Sequence, residues 1–426
     1  MKLLDYKNFT CNGINVHVIP TEKFKTNTIT LKVRGPLNKE TVTYRGLLPY
    51  VLQSGTSTYP TNGDVRRKLE ELYGATFFVD VAKKGDYHVM SFIIDIANEK
   101  YLTNQSTLLD EGLSLLAEIW QKPYLENGVF STRNVDTQKR VQAERIKALN
   151  DDKLKYANQR LIEEMFKGES YELLPNGILN EINNISSENL YEYYQKALKE
   201  DMIDLYIVGD VSEEQCKDLI QSNFVTNTSS DFRVDTKKAV AVSSPNEVIE
   251  EQKLNQAKLH IGYTTGISNK DADYFALQVF NGLFGGFSHS KLFINVREKN
   301  SLAYYAASRF ESHKGLLMVM SGIASENYEK ATTIITEQLE EMRKGNFTDD
   351  EIDQTKLSIK NSLLEGMDTA YGIIETLFND HSGGNNRPIE QWITEIEKVT
   401  RDEIIEVSKK IALHTTYFLK GEEGVK

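Results

Sequence analysis

Cysteine is almost missing from this chain of 426 residues: Cys11 and Cys216 stand far apart and form no Cys-x-x-Cys pair. That argues against a disulfide framework or a cysteine-built zinc cluster, and the pair reads as reduced thiols of a cytoplasmic protein. Long apolar runs are missing too. The opening Met1-Lys2-Leu3-Leu4-Asp5-Tyr6-Lys7 breaks its apolar start with charges before a signal-peptide core can form. No later run approaches the roughly 20 apolar residues of a membrane helix, so no membrane partner is expected. Nor is there a basic excess: 50 Lys and Arg face 62 Asp and Glu, a net charge of -12, with no basic stripe interleaved with aromatics. This argues against a nucleic-acid partner, and the acidity serves solubility. The 7 histidines, at positions 17, 88, 260, 289, 313, 381 and 414, show no metal-ligand spacing, which leaves only ligands converging from distant positions. No Gly-x-Ser-x-Gly elbow or Cys/His signature supplies another nucleophile. Gly282, Gly285 and Gly286 follow a helix-like segment without a subsequent Gly-Lys-Ser/Thr, so a tight helix-to-helix turn is expected there rather than a phosphate loop.

What is present is length enough for two domains, and a plan of elements that runs through twice. In the first half a strand at 29–33 leads to helices at 46–53 and 65–72, paired strands at 77–81 and 88–94, and a helix at 108–120. One long charged helix is expected over 135–166, with an apolar stripe at Val141, Ile146, Leu149, Leu154 and Leu161. A capped helix at 187–198 and a strand at 205–208 close the half. The second half repeats the order: strand 258–264, helices 274–283 and 291–296, strands 302–310 and 316–320, long helices 328–342 and 349–379, helix 401–412 and strand 416–419. Residues 226–252, rich in Ser, Thr, Asn, Asp and Lys, read as the linker between domains 1–225 and 253–426. Strands segregated from runs of helices predict two α+β domains, each a mostly antiparallel sheet backed by helices.

Two sets of motifs carry chemistry. The first is Gly46-Leu47-Leu48-Pro49-Tyr50-Val51-Leu52-Gln53-Ser54-Gly55-Thr56. The second, in the other half, runs Gln256-Ala257-Lys258-Leu259-His260-Ile261-Gly262-Tyr263, then Asp273-Tyr274-Phe275-Ala276-Leu277. It continues with Leu283-Phe284-Gly285-Gly286-Phe287-Ser288-His289-Ser290-Lys291-Leu292-Phe293 and Val296-Arg297-Glu298-Lys299-Asn300-Ser301-Leu302-Ala303-Tyr304. In order and spacing, over nearly the whole chain, these segments resemble the insulinase-like (pitrilysin) family of zinc peptidases, whose signature is His-x-x-Glu-His followed by a Gly-Thr pair. Counting back from Gly55-Thr56, the three signature positions fall on Gly46, Pro49 and Tyr50.

The resemblance therefore implies a metallopeptidase helix without its metal chemistry. Two imidazoles four residues apart share a helix face and hold zinc, with a carboxylate between them to deprotonate bound water. Gly46 and Pro49 have no side-chain lone pair, and a tyrosine with an ordinary pKa of about 10 is rarely ionised at neutral pH. The family's third ligand is a Glu on the following long helix; Glu144 is its nearest counterpart, expected in ion pairs beside Arg140 and Arg145. No metal site and no cofactor are expected in this chain.

In that family an Arg and the Tyr seven residues on bind substrate, which implies the role for Arg297 and Tyr304. Arg297 is placed where a short helix ends, with Asn300 as a left-handed cap, and its fork of donors suits a peptide carbonyl or carboxylate. Tyr304 is placed on the next strand, facing the same way as Leu302 and Ala306, with its hydroxyl free to donate to an oxyanion. Arginines at helix ends commonly answer the dipole and strand tyrosines commonly fill cores; the surrounding motif favours the functional reading. The resemblance implies a non-catalytic subunit of a heterodimeric zinc metallopeptidase, binding peptide beside a partner that keeps His-x-x-Glu-His and the zinc. The alternative it leaves is a non-enzymatic scaffold or peptide-binding protein, with elongation factor P modification as the associated pathway.

Overall fold

β-branched and aromatic residues crowd two eleven-residue stretches, Thr26–Pro36 and Tyr87–Ala97, and these become the two longest strands of the protein. The structure, a computed structural model, describes residues 3–102, 107–225, 234 and 236–422. In chain order its elements begin with β1 (Lys7–Cys11), β2 (Ile14–Pro20), β3 (Thr26–Pro36), α1 (Val42–Leu52), α2 (Asn62–Glu71), β4 (Thr76–Lys84), β5 (Tyr87–Ala97) and α3 (Leu108–Gln121). They continue with β6 (Leu125–Glu126), β7 (Val129–Phe130), α4 (Thr132–Ala148), α5 (Lys153–Met165), α6 (Ser187–Glu200), β8 (Met202–Gly209), α7 (Glu213–Asn223), β9 (Asn246–Gln252) and β10 (Ala257–Thr264). Then come α8 (Tyr274–Asn281), π-helical turns at Gly282–Gly286 and Phe293–Glu298, β11 (Ala303–Glu311), β12 (Leu316–Ile323), α9 (Tyr328–Arg343), α10 (Asp349–Gly366), α11 (Ala370–Ser382), α12 (Ile389–Lys398), α13 (Arg401–Lys410) and β13 (Ala412–Gly421).

The chain forms two units, each around its own sheet. The first sheet has the order β1-β2-β8-β3-β5-β4 and is antiparallel except where β2 meets β8. The second has the order β11-β12-β10-β13-β9 and is antiparallel except where β13 meets β9. This is the expected α+β class. Read as β2-β8-β3-β5-β4 and β9-β13-β10-β12-β11, the two sheets share one connectivity, with the parallel pair in the same place.

The units are not collinear with the halves of the sequence. The first comprises Met1–Ala148, Leu173–Asp235 and Thr369–Glu375; the second comprises Leu149–Glu172, Thr236–Asp368 and Thr376–Lys426. Two of the five changes of unit, after Ala148 and after Asp368, coincide with a break in a helix that sequence pattern had continuous. The helix expected over 135–166 ends at Ala148 and restarts at Lys153, because Asp152 turns its carboxylate onto the backbone N–H groups of Leu154 and Lys155. Of its expected stripe Leu161 is buried, but Val141 and Leu154 are exposed, and Gln142, Ala157, Ile162 and Met165 are buried beside Leu161. The helix expected over 349–379 likewise stops at Gly366, and Thr369 Oγ1 accepts from Gly372 N at the start of α11. Of the span 226–252, residues 226–233 and 235 lie outside the described residues, while Asn246–Gln252 is strand β9. β9 alternates exposed and half-buried residues at a sheet edge, so its polarity resembled a linker's.

In the first unit, α1, α3 and α6 lay Leu47, Leu48, Leu113, Leu116, Trp120 and Tyr194 against Val16, Ile29, Leu31 and Phe92 of the sheet. Each such side chain, fully buried, contributes about 1.5–3 kcal/mol. α1 is further fixed by Arg45, which is completely buried. Its guanidinium donates to Asp201 Oδ2 at 2.5 Å, Tyr193 OH at 2.9 Å, and the carbonyls of Val33 and His88 at 3.2 and 3.1 Å. In the second unit, α8, α9 and α13 pack Leu277, Phe280, Ile335 and Ile404 on one face of the sheet. Leu161 and Met165 of α5 join Met318, Tyr417 and Leu419 in a separate apolar cluster.

Candidate functional site

The three signature positions sit together on α1, whose apolar residues Leu47, Leu48, Val51 and Leu52 face the core. Pro49 lies in the helix interior, where it removes one backbone hydrogen bond, yet the turn closes through Gln53 N donating to Pro49 O at 3.0 Å. Gly46 faces the segment around Asn176 and the helix α4. A Cβ at Gly46 would fall 2.7 Å from the carbonyl oxygen of Asn176 and 2.9 Å from Nε2 of Gln142. Gln142, fully buried, holds that arrangement by donating to Thr43 O at 3.1 Å and Asn176 O at 2.7 Å. Thr43 Oγ1 accepts from Ile178 N, and His88 Nε2, its ring kept neutral with a pKa lowered to about 3 by burial and by Arg45, donates to Pro175 O at 2.7 Å. The place of an imidazole at 46 is thus filled by backbone.

Tyr50 is half-buried, and burial pushes its phenol above the ordinary value, partly offset by the adjacent Arg145 cation. The Arg145 guanidinium carbon stands over its ring, 3.6 Å from the centroid. Glu144 is turned away, exposed, and paired with Lys147 at 3.0 Å rather than with Arg140 or Arg145. The residues that α4 does present to α1 are Gln142 and Arg145, three apart on one helix face. Neither is a carboxylate, so a metal-ligand pattern does not reach them; their trace in the sequence is a polar residue at helical spacing among charged ones.

These donors do not fit zinc. Gly46 and Pro49 supply nothing, Tyr50 stays a phenol, and Gln142 Oε1, buried without a partner, is one neutral oxygen. The charge closest to Tyr50 is the Arg145 cation, and the Asp80 carboxylate whose field also reaches the phenol is a single acid. Structural and catalytic zinc sites take at least three N, S or carboxylate ligands, and among the described residues no group of three His, Cys, Asp or Glu side chains could hold a metal ion.

Arg297 and Tyr304 lie in the second unit. Arg297 is on the turn Phe293–Glu298, which packs against β11; its guanidinium stands 4.7 Å from the centroid of the Phe293 ring, and its Nε is 3.5 Å from Glu298 Oε1. The left-handed residue after this turn is Ser301, with φ 50°, and not Asn300, whose amide instead donates to Asn295 O at 2.7 Å. Leu302 N then closes back onto Val296 O at 3.1 Å.

Tyr304 does not share the face of Leu302 and Ala306. Those two are buried, whereas Tyr304 is 81% exposed. The cause is a bulge: Ala303 pairs with Ile323 and Tyr305 with Gly322, so Tyr304 is the extra residue between them. Gly322 makes room for it, since a Cβ there would fall 2.5 Å from Cε1 of the Tyr305 ring. Tyr305 settles over the glycine and Tyr304 is turned out at the sheet edge. No hydrogen bond or ring contact joins Arg297 to Tyr304 among the described residues; both side chains are presented to solvent from adjoining elements.

The family model described as the peptidase M16 inactive domain matches residues 184–359. Over 412 residues, 97% of each chain, this protein is 50% identical to one from Bacillus subtilis (strain 168) named probable inactive metalloprotease YmfF. It is similar at TM-score 0.90 and 34% identity to the crystal structure of a conserved protein from Enterococcus faecalis V583, over 99% of this chain and 100% of that one. A protease from Helicobacter pylori shares the fold at TM-score 0.81 and 18% identity, over 98% and 100% of the two chains.

Proposed function

The chain belongs to the insulinase-like M16 peptidase family as a catalytically incomplete, YmfF-type member, and from that premise we propose that it is the metal-free subunit of a two-chain peptidase. Its partner would be a related chain that keeps His-x-x-Glu-His and with it the zinc. In this reading the present chain binds the peptide and lends Arg297 and Tyr304 to the partner's reaction.

The observation that carries it is the expulsion of Tyr304. An aromatic residue 81% exposed has forfeited its burial energy, and a bulge directs it outward beside an arginine likewise held at the surface. Such a pair suits a peptide on which charge develops. The Arg297 fork takes a carbonyl or carboxylate oxygen of the substrate in two parallel hydrogen bonds and fixes its register. The Tyr304 hydroxyl donates to the oxygen of the scissile carbonyl, a bond that strengthens as that oxygen becomes an oxyanion. Hydrolysis itself falls to the partner's zinc. Two free thiols, Cys11 and Cys216, agree with a cytoplasmic setting for the pair.

The test is peptide cleavage by the mixture of this chain with a His-x-x-Glu-His partner. Tyr304→Phe should lower kcat by about 10²-fold, the loss typical of one oxyanion donor, and Arg297→Ala should mainly raise KM. Undiminished rates in both variants would sink the trans reading and favour a scaffold.

A further inference from the structure

We propose that the Tyr50–Arg145 pair, at the place where relatives would carry zinc ligands, is a binding site for a peptide carboxylate. Among the described residues seven arginines are buried or half-buried. Six of them meet a carboxylate: Arg34 with Asp204, Arg45 with Asp201, Arg160 with Glu250, Arg343 with Glu340, Arg387 with Asp380 and Arg401 with Asp349, at 2.5–2.9 Å. Arg145 is the exception. Its Nη1 is buried with no hydrogen-bond partner, and among the described residues its one close contact of this kind is the face of Tyr50. A guanidinium N–H that has given up water and found no acceptor is costly. The ring face restrains the guanidinium from one side, and the side chain is half-buried, so it is not sealed from an incoming acid.

The geometry favours a carboxylate over a neutral group. A planar guanidinium held against a ring face has parallel donors for two oxygens and loses less freedom on binding than a free one. At this place Gly46 and Pro49 offer no side-chain acceptor and Glu144 points to solvent, and the Asp80 carboxylate, whose charge reaches the Tyr50 phenol, forms no ion pair with Arg145 among the described residues. The overall charge of -12 repels anions, so a preference for an acidic peptide would have to arise locally. That the acid belongs to a peptide rests on the peptide-binding reading above.

Fluorescence anisotropy with the purified chain alone tests this. Three fluorescein-labelled decapeptides serve as probes: one without Asp or Glu and with a free C-terminus, its C-terminal amide, and that amide with one central Glu. The wild type should bind one of the two acid-bearing peptides about tenfold more tightly than the neutral amide, and which one identifies a terminal or a side-chain carboxylate. Arg145→Ala should abolish the preference. Arg145→Lys, which keeps the charge without the fork, should retain only part of it and serves should the alanine variant fail to fold. Equal binding of all three peptides by the wild type, or a preference that survives these substitutions intact, would overturn the proposal. No zinc-bearing partner is present in the assay, so its failure leaves the trans reading standing, and the reverse also holds.

Discussion

Whether a lost metal site could be rebuilt depends, residue by residue, on what now occupies its space. At Gly46 the occupant is the carbonyl of Asn176, locked by the Gln142 amide, so an imidazole there has to displace backbone rather than fill a void. Overpacking of that kind costs about 1–3 kcal/mol or more. The combined substitution Gly46→His, Pro49→Glu, Tyr50→His and Gln142→Glu supplies a full zinc donor set on paper. Elemental analysis of the purified variant should nonetheless find no stoichiometric zinc, and its Tm should fall below the wild type's. Stoichiometric uptake with an unchanged Tm would mean that the segment around Asn176 yields easily and that the deficit is one of side chains alone. The same scale of reasoning separates Tyr50 from a metal ligand: burial raises its phenol and a guanidinium lies on its ring, the reverse of what a dication needs.

At the scale of elements, the position of α1 depends on Arg45, whose guanidinium bonds Asp201 just beyond α6 and the carbonyls of β3 and β5. Arg45→Met leaves Asp201 buried and unpaired, which should cost about 3–5 kcal/mol in urea unfolding. A change under 1 kcal/mol would show that the pair contributes little beyond its packing. Much of this level was legible in the sequence. Alternation and β-branched content located β3, β5, β8, β10 and β12, and the signature positions fell on one helix as expected. What escaped was local chemistry that periodicity averages over. Asp152 and Thr369 interrupt helices whose charged residues kept the pattern running. The bulge at Tyr304 turns it off the face of Leu302 and Ala306, to which strict alternation assigned it. Its trace in the sequence is Tyr304-Tyr305 set between Ala303 and Ala306, two large rings in succession where one face has room for one. Arg145 was legible only as a neighbour of Glu144, because its stacking on Tyr50 depends on how α4 meets α1.

For the whole molecule, two sheets of one connectivity carry unlike equipment. The first unit holds the emptied signature helix and an arginine without an acid; the second holds the exposed Arg297 and Tyr304. The two sets of residues fall in different units as they fall in different halves of the sequence, but the unit boundaries depart from the halves, since α5 joins the second unit and the start of α11 joins the first. No helix of the described residues is long and apolar enough to cross a membrane. The account's central claim is that catalysis needs a second chain, because the described residues of this one bring together no donor set for a hydrolytic metal. The most direct measurement is zinc content and peptide cleavage for this chain alone, for a His-x-x-Glu-His relative alone, and for their mixture. The account predicts zinc only where the relative is present and cleavage only in the mixture; zinc held by this chain alone, with peptide cleavage that a chelator abolishes, would contradict it.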